Sequence, residues 1–345
     1  MKTTRTLAGL RCLLAVTLGA TLTAPARADV AEFYKGKTLS VLVGFDTASG
    51  YNTYARLLAS HIGDHIPGRP TAVVRNMPGA AGLNAANWMY NVAPKDGSTI
   101  AVMLASNAID KLFGDSKVLF EPTKFNWIGN MDISVGTCIV MKESGIARFQ
   151  DLVEKETLFG STGQTGGNTQ HALALKNLFD AKIKLIMGYD GGGAIKLAMA
   201  RGEVAGTCGV PVVSLKTQWR DEFAAGTVVP IIHDFNGKVE ALPGVPSAYD
   251  FVSTAEERQV LDLVFGWHEL GRPVIAPPDI PADRLQALKD AFMATMRDPA
   301  FLADAKRLGL DINPSSGEAV AAMIAKFFSY SPTVIDTAAR AVRTK

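Results

Sequence analysis

His61 and His65 stand four residues apart on what reads as one helix face, a spacing that suits a metal ion. No Glu lies between them and no cysteine is near, so a polar helix end explains them as well. His171, His233 and His268 are isolated in the sequence. Gly160-Ser161-Thr162-Gly163 resembles a nucleophile elbow only loosely, because its order is not G-x-S-x-G. An exported hydrolase would have to draw on Ser161 or His171. No Gly-rich loop closes on Gly-Lys-Ser/Thr, and Gly188 to Gly193 lacks the G-x-G-x-x-G order of a dinucleotide site. The expectation is therefore no enzyme, no metal and no cofactor.

What remains is a set of small polar loops where strands end. The first runs Phe45, Asp46, Thr47, Ala48, Ser49, Gly50, Tyr51 and Asn52. A second holds Ser161, Thr162, Thr165, Gly166, Gly167 and Asn168, and shorter candidates are Ser106, Asp190 with Gly191, and Gly209. Glycine lets a backbone approach a ligand closely, and Ser, Thr and Asn add donors. The two main loops contain no Lys or Arg. An anion held by them would rest on N–H groups, hydroxyls and helix dipoles, each dipole worth roughly 0.3–1 kcal/mol when exposed and up to about 2 when partly buried.

The elements that would position these loops alternate. Leu39 to Val43 is a short apolar run rich in β-branched residues, and Tyr54, Leu57, Leu58 and Ile62 follow at helical spacing. Strands are expected at 71–76 and 99–104, with a helix over 85–90 between them. Trp127 to Met141 is a longer extended stretch passing into a second block. There the strands 157–160, 183–187, 204–208 and 228–232 alternate with helices over 170–179, 194–201 and 212–223. Thr254-Ala-Glu-Glu257 has the form of a capping box, and the remainder is mostly helical. Such alternation predicts an α/β protein with mainly parallel sheets flanked by helices. In open α/β sheets, ligands bind beyond the carboxyl ends of the strands, where these loops lie.

The N-terminus reads as a secretory leader. Lys2, Arg5 and Arg11 precede an apolar run from Cys12 to Ala24, and Ala26-Arg27-Ala28 is an A-x-A cleavage pattern. Removing residues 1–28 takes away four of the 35 basic residues and none of the 33 acidic ones, leaving a net charge of −2. With no Lys/Arg run, nucleic acid is not an expected partner. The expected mature product is a soluble exported protein, monomeric, with Cys138 and Cys208 as its remaining cysteines. In an oxidising compartment these could pair, and two buried free thiols are the alternative.

Several stretches together resemble the periplasmic solute-binding proteins of tripartite tricarboxylate transporters, the Bug family. They are Phe33-Tyr-Lys-Gly-Lys-Thr38, the first loop with Tyr54-Ala-Arg56, Asn76-Met-Pro-Gly-Ala-Ala-Gly82, Ala85-Ala-Asn87 and Pro94-Lys-Asp-Gly97. Ser161-Thr-Gly163, Gly188-Tyr-Asp-Gly-Gly-Gly193 and Arg272-Pro-Val-Ile-Ala-Pro-Pro278 are similar to the same family. The resemblance covers essentially the whole mature chain. It implies a two-domain Venus flytrap of the class II periplasmic-binding type, closing on a small organic carboxylate between Thr47–Asn52 and Ser161–Asn168. The expected domains are 29–134 with 235–345, and 135–234, hinged near residues 132–137 and 233–240. The implied partners are subunits of a membrane transporter or, in some members, a signalling system. One departure stands out: the family's first loop is commonly Pro-Pro-Gly-Gly-Gly, and here it is Asp46-Thr-Ala-Ser-Gly50. If Asp46 faces the pocket, it favours an amine or hydroxyl on the ligand; if it caps the helix or turns to solvent, it means little.

Overall fold

A computed structural model describes residues 25–344 apart from Ala48, Asp115, Gln164 and Thr165. The first 24 residues, most of the expected leader, lie outside the described residues. From helix α1 (Pro25–Tyr34) the chain enters strand β1 (Thr38–Val43), helix α2 (Gly50–His65), β2 (Thr71–Asn76), α3 (Leu83–Asn91), β3 (Thr99–Val102) and β4 (Asn126–Asn130). It then crosses to β5 (Gly136–Met141), α4 (Asp151–Glu154), β6 (Thr157–Gly160), α5 (Gly167–Phe179) and β7 (Ile183–Ile186). The second unit closes with α6 (Gly192–Ala200), β8 (Gly206–Pro211), α7 (Val212–Leu215), α8 (Arg220–Ala224) and β9 (Val228–His233). The return adds α9 (Ala255–Val264), β10 (Pro273–Ala276), α10 (Ala282–Thr295), α11 (Pro299–Arg307), β11 (Ser315–Ser316), α12 (Gly317–Phe328) and α13 (Pro332–Ala341).

Two sheets result, ordered β11-β4-β10-β3-β1-β2 and β7-β6-β8-β5-β9. β1 pairs parallel with β2 and β3, and β6 pairs parallel with β7 and β8. The pairs made by β10 with β3 and β4, and by β5 with β8 and β9, are antiparallel, so each sheet is mixed. The antiparallel pairing has a consequence for the site. It brings the start of β10 and the end of β4 to the same edge as the carboxyl ends of β1 and β3, which is where the chain leaves for the other domain. In the second sheet Gly136 faces Pro211 and Thr137 faces His233, so both crossings sit at that edge too.

β1 is covered on both faces, as its nearly unbroken apolar run requires. On one face α1, α2, α10 and α11 pack around Leu58, Ile62, Phe292 and Phe301. On the other, α3, α9, α12 and α13 form a core that continues into the second domain through Ala172 and Leu175 of α5. Asn177 of α5 donates to the Ala341 carbonyl, 2.9 Å, fastening the two domains on that side. A separate core of Ile195, Met199, Leu215 and Trp219 covers the opposite face of the second sheet.

Most expected elements are present, several with ends shifted by a few residues. The helix expected over 212–223 is broken into α7 and α8, because Trp219 turns inward to 4% exposure and its amide bonds back to Ser214. β8 begins two residues later than expected and runs on to Pro211. Both capping-box bonds of Thr254 and Glu257 are made. Cys138 and Cys208 form a disulfide that ties β5 to β8. No helix among the described residues is long and apolar enough to cross a membrane.

Candidate functional site

Between the domains, on the face away from the shared core, lies a cavity of about 680 Å³. Its first-domain wall is Gly50 and Tyr54 at the start of α2, Arg272 and residues 309–313; Asp132 to Val135 of the crossing form its back. Residues 211–214, Lys216 and 239–241 form the other wall. A second cavity of about 310 Å³ shares Pro211 and Ser214 with it and extends over Gly167, Asn168, Gly192 and Gly209. The two adjoin at those residues.

The first loop builds the entrance to α2. Ser49 is its N-cap: the hydroxyl accepts from the Asn52 amide at 3.2 Å and donates to the Asp46 carbonyl at 3.0 Å. Asn52 is 1% exposed and committed inward, donating to the Thr47 carbonyl and accepting from Asn76. Phe45 stacks on Tyr51, ring centroids 5.0 Å apart. Asp46 and Thr47 are exposed and line neither cavity, so Asp46 belongs to the turn that starts the helix. Ala48 lies outside the described residues. Gly44, just before this loop, has a packing reason to be glycine: a Cβ there would stand 2.6 Å from the Gly82 Cα. Of the seven described candidates in this stretch, Gly50 is the one that lines the cavity, with Tyr51 lying under Arg272 beside it.

In the second domain Gly166 precedes α5 and Gly167 opens it. Asn168 turns its amide oxygen back to accept from Thr162 Oγ1 and the Thr169 amide, both at 2.9 Å. Gly209 has φ +65, and a Cβ there would come within 2.9 Å of the Asn168 Cα, which holds β8 tightly against the start of α5. Gly191 precedes α6, and Asp190 beside it is exposed. Ser106 sits in a short 3-10 turn whose carbonyl accepts from Ile109, away from both cavities. Thr165 lies outside the described residues. Ser161 is fully buried and its hydroxyl has no partner, and His171 is 2% exposed. Neither lines either of these two cavities. His61 and His65 pair with Asp304 at 3.1 Å and Asp298 at 2.8 Å, joining α2 to α11.

Sequence reasoning missed the charged residues of the cleft. Arg272 lies over the Tyr51 ring at 4.4 Å and the Tyr54 ring at 4.9 Å. Its Nη1 donates to the Gly271 carbonyl at 2.5 Å, and its Nε is buried without a partner. Nη2 reaches toward Gly50, 3.9 Å from where a Cβ would be, and thus stands at the N-terminus of α2. The signal was present: Arg272 is the charged residue immediately before the buried β10 run Pro-Val-Ile-Ala. Only the antiparallel return of β10 delivers it to the loop after β1, more than two hundred residues earlier. Asp132, 9% exposed, sits behind it, its pKa raised to about 7 chiefly by burial, against the pull of Arg272 and with repulsion from Asp311.

No family model matches the chain, and no curated protein matches it. Solved structures do. A TctC solute binding protein from Polaromonas, with no ligand, superposes with a TM-score of 0.70 at 14% identity, covering 88% of this chain and 99% of its own. The periplasmic binding protein BugD gives 0.59 at 19% identity, with 88% and 97% covered. MatC from Rhodopseudomonas palustris with bound malate gives 0.59 at 17% identity, with 88% and 99% covered. The chain has the two-domain α/β fold of the periplasmic binding proteins.

Proposed function

We propose that this chain is a solute-binding protein of the tripartite tricarboxylate (Bug) type, exported and cleaved after Ala28, which captures a small organic carboxylate between its domains. In this reading it delivers the ligand to the subunits of a membrane transporter, works as a monomer and carries out no chemistry. The domains are 29–134 with 235–345, and 135–234. The sheets support that division, since all strands from β5 to β9 lie in one sheet and the rest in the other. The carboxylate class is supported by the malate bound to MatC, a protein of the same fold.

The observation that carries the reading is Arg272. A guanidinium with an unpartnered buried Nε, held over two aromatic rings beside the first residue of α2, is a prepared place for a carboxylate. The walls of the cavity come from both domains, so closing them buries the ligand. Gly167, Asn168 and Gly209 line the adjoining cavity and would meet the far end of a longer ligand.

A thermal-shift and calorimetry panel of mono- and dicarboxylates, amino acids and aromatic acids tests the reading. At least one carboxylate should raise the melting temperature, because a ligand that binds only the folded state must stabilise it. Arg272→Met keeps the stem that covers Tyr51 and Tyr54 and removes the charge. It should weaken that ligand by about 2–4 kcal/mol, roughly thirty- to a thousandfold. Unchanged affinity in this variant would sink the assignment.

A further inference from the structure

We infer that the ligand of this cleft carries a cationic amine as well as a carboxylate, with the carboxylate at Arg272 and Gly50 and the amine at Asp132 and Asp311. The inference rests on the carboxylate-binding reading above and narrows it to amino carboxylates.

The two charges flank one tyrosine. Arg272 lies 4.9 Å from the Tyr54 ring, and the hydroxyl at the other end of that side chain is 3.4 Å from Asp132 Oδ2. The cavity is lined by all three, so a small molecule can span them. Asp132 is poorly satisfied for a buried carboxylate. The Tyr54 hydroxyl points its single proton more closely at the Asp311 carbonyl, 2.9 Å, than at Asp132. Beyond that Asp132 accepts from the Ile133 amide. Among the described residues Arg272 forms no ion pair within 4.0 Å, so neither charge is taken up by direct contact with the other, although Arg272 pulls on Asp132 through space.

The groups facing Asp132 make the preference directional. Arg272 is the cation on its own wall; Asp311 comes from the loop after α11, and Glu240 and Lys216 also line the cavity, from the opposite wall. Three carboxylates and two cations therefore surround the space. A second ligand carboxylate near Asp132 and Asp311 meets like charge, whereas an ammonium meets two acceptors. The upward shift of Asp132 has burial as its chief cause, which outweighs the opposing pull of Arg272. The like-charge repulsion considered for Asp46 thus applies to a different residue, 86 positions later on the first crossing.

The test compares β-alanine, γ-aminobutyrate and δ-aminovalerate, each beside the dicarboxylate of equal carbon count: malonate, succinate and glutarate. Calorimetry at about pH 8 should show the best amino compound binding at least about tenfold tighter than its dicarboxylate match. Its affinity should fall, by up to about tenfold per unit, as the pH drops below about 7 and Asp132 takes a proton. Asp132→Asn should bring the pair to within about twofold while leaving the binding lost in Arg272→Met unrestored. Should Asp132→Asn perturb folding, the pH series on the unsubstituted protein carries the same test: an affinity that stays level from about pH 8 to about pH 5.5 overturns the assignment to Asp132. A dicarboxylate that binds tighter, with affinity rising as the pH falls, would mean that protonated Asp132 donates to a second carboxylate. That result overturns the amine and leaves the carboxylate reading intact. An amine preference that survives Asp132→Asn overturns the assignment to this residue. Failure of every compound, together with the aromatic and longer acids, overturns both.

Discussion

The two crossings between the domains each carry one buried aspartate, and the two are solved in opposite ways. Asp234, on the second crossing, is 3% exposed. It accepts from the Gly136 amide at 2.7 Å and from His268 Nδ1 at 2.5 Å. Gly136 begins the second domain's sheet, and His268 belongs to the returning segment of the first, so one carboxylate stitches both domains to both crossings. Asp132, on the first crossing, is 9% exposed and has weaker support, the Ile133 amide and the Tyr54 hydroxyl at 3.4 Å. A buried charge that the fold satisfies holds structure together; one that the fold leaves waiting is kept for something else.

Substituting each aspartate with asparagine should break this symmetry, most strongly at Asp234. Asp234→Asn removes the charge-assisted bonds and sets an amide donor against either Gly136 N–H or His268 Nδ1–H. A loss of roughly 2–4 kcal/mol in urea unfolding is expected. A loss below about 1 kcal/mol would show that the clasp is incidental.

The clasp also has a pH limb of its own. His171, on α5, lies 3.7 Å from Asp234 Oδ2, too far for a hydrogen bond, and neither ring nitrogen has a partner. Burial pushes its pKa down to about 4, with Asp234 pulling it up and His268 pushing it down. The folded state therefore binds this proton less well than the unfolded chain does. The stability it confers is full above about pH 6.5 and is lost as the pH falls through about 4, about 3 kcal/mol over that range. His171→Leu keeps the packing against Phe265 and should flatten the limb between those values. An unchanged acid limb would place the titration elsewhere.

Much of this frame was legible in the sequence, for reasons that are local. β1 and α2 declare themselves by an apolar run followed by helical spacing, and Thr254, Ser316 and Gly309 mark helix ends by their own chemistry. The loops were legible as loops. Their roles were less so, because Asn52 and Ser161 turn inward and Asp46 belongs to a turn, choices made by neighbours such as Asn76 and Ile186. Asp132 and Asp234 gave no local signal, and the one at Arg272, a charge just before the buried β10 run, did not say what it would face. Each is defined by what an antiparallel strand or a crossing brings beside it from more than seventy residues away, and no pattern of period two or 3.6 contains that information.

The smallest expected effect is also the one that separates the two aspartates by sign. Asp132 has a folded-state pKa raised to about 7, above the unfolded value of 3.8, chiefly by burial. Its ionised form is thus disfavoured in the fold: this site adds nothing adverse when protonated at low pH, and costs stability increasingly as the pH rises from about 4 through 7. Asp132→Asn removes that cost. The ligand-free protein should gain about 1–2 kcal/mol at pH 8 and nothing near pH 4, measured as the difference between unfolding midpoints at the two pH values. A gain in stability from removing a buried charge, beside a loss from removing its counterpart on the other crossing, is what distinguishes a site held ready for a ligand from one that holds the domains. If Asp132→Asn instead destabilises the protein at pH 8 as Asp234→Asn does, both aspartates are clasps, and the cleft has to find its ligand's second anchor elsewhere.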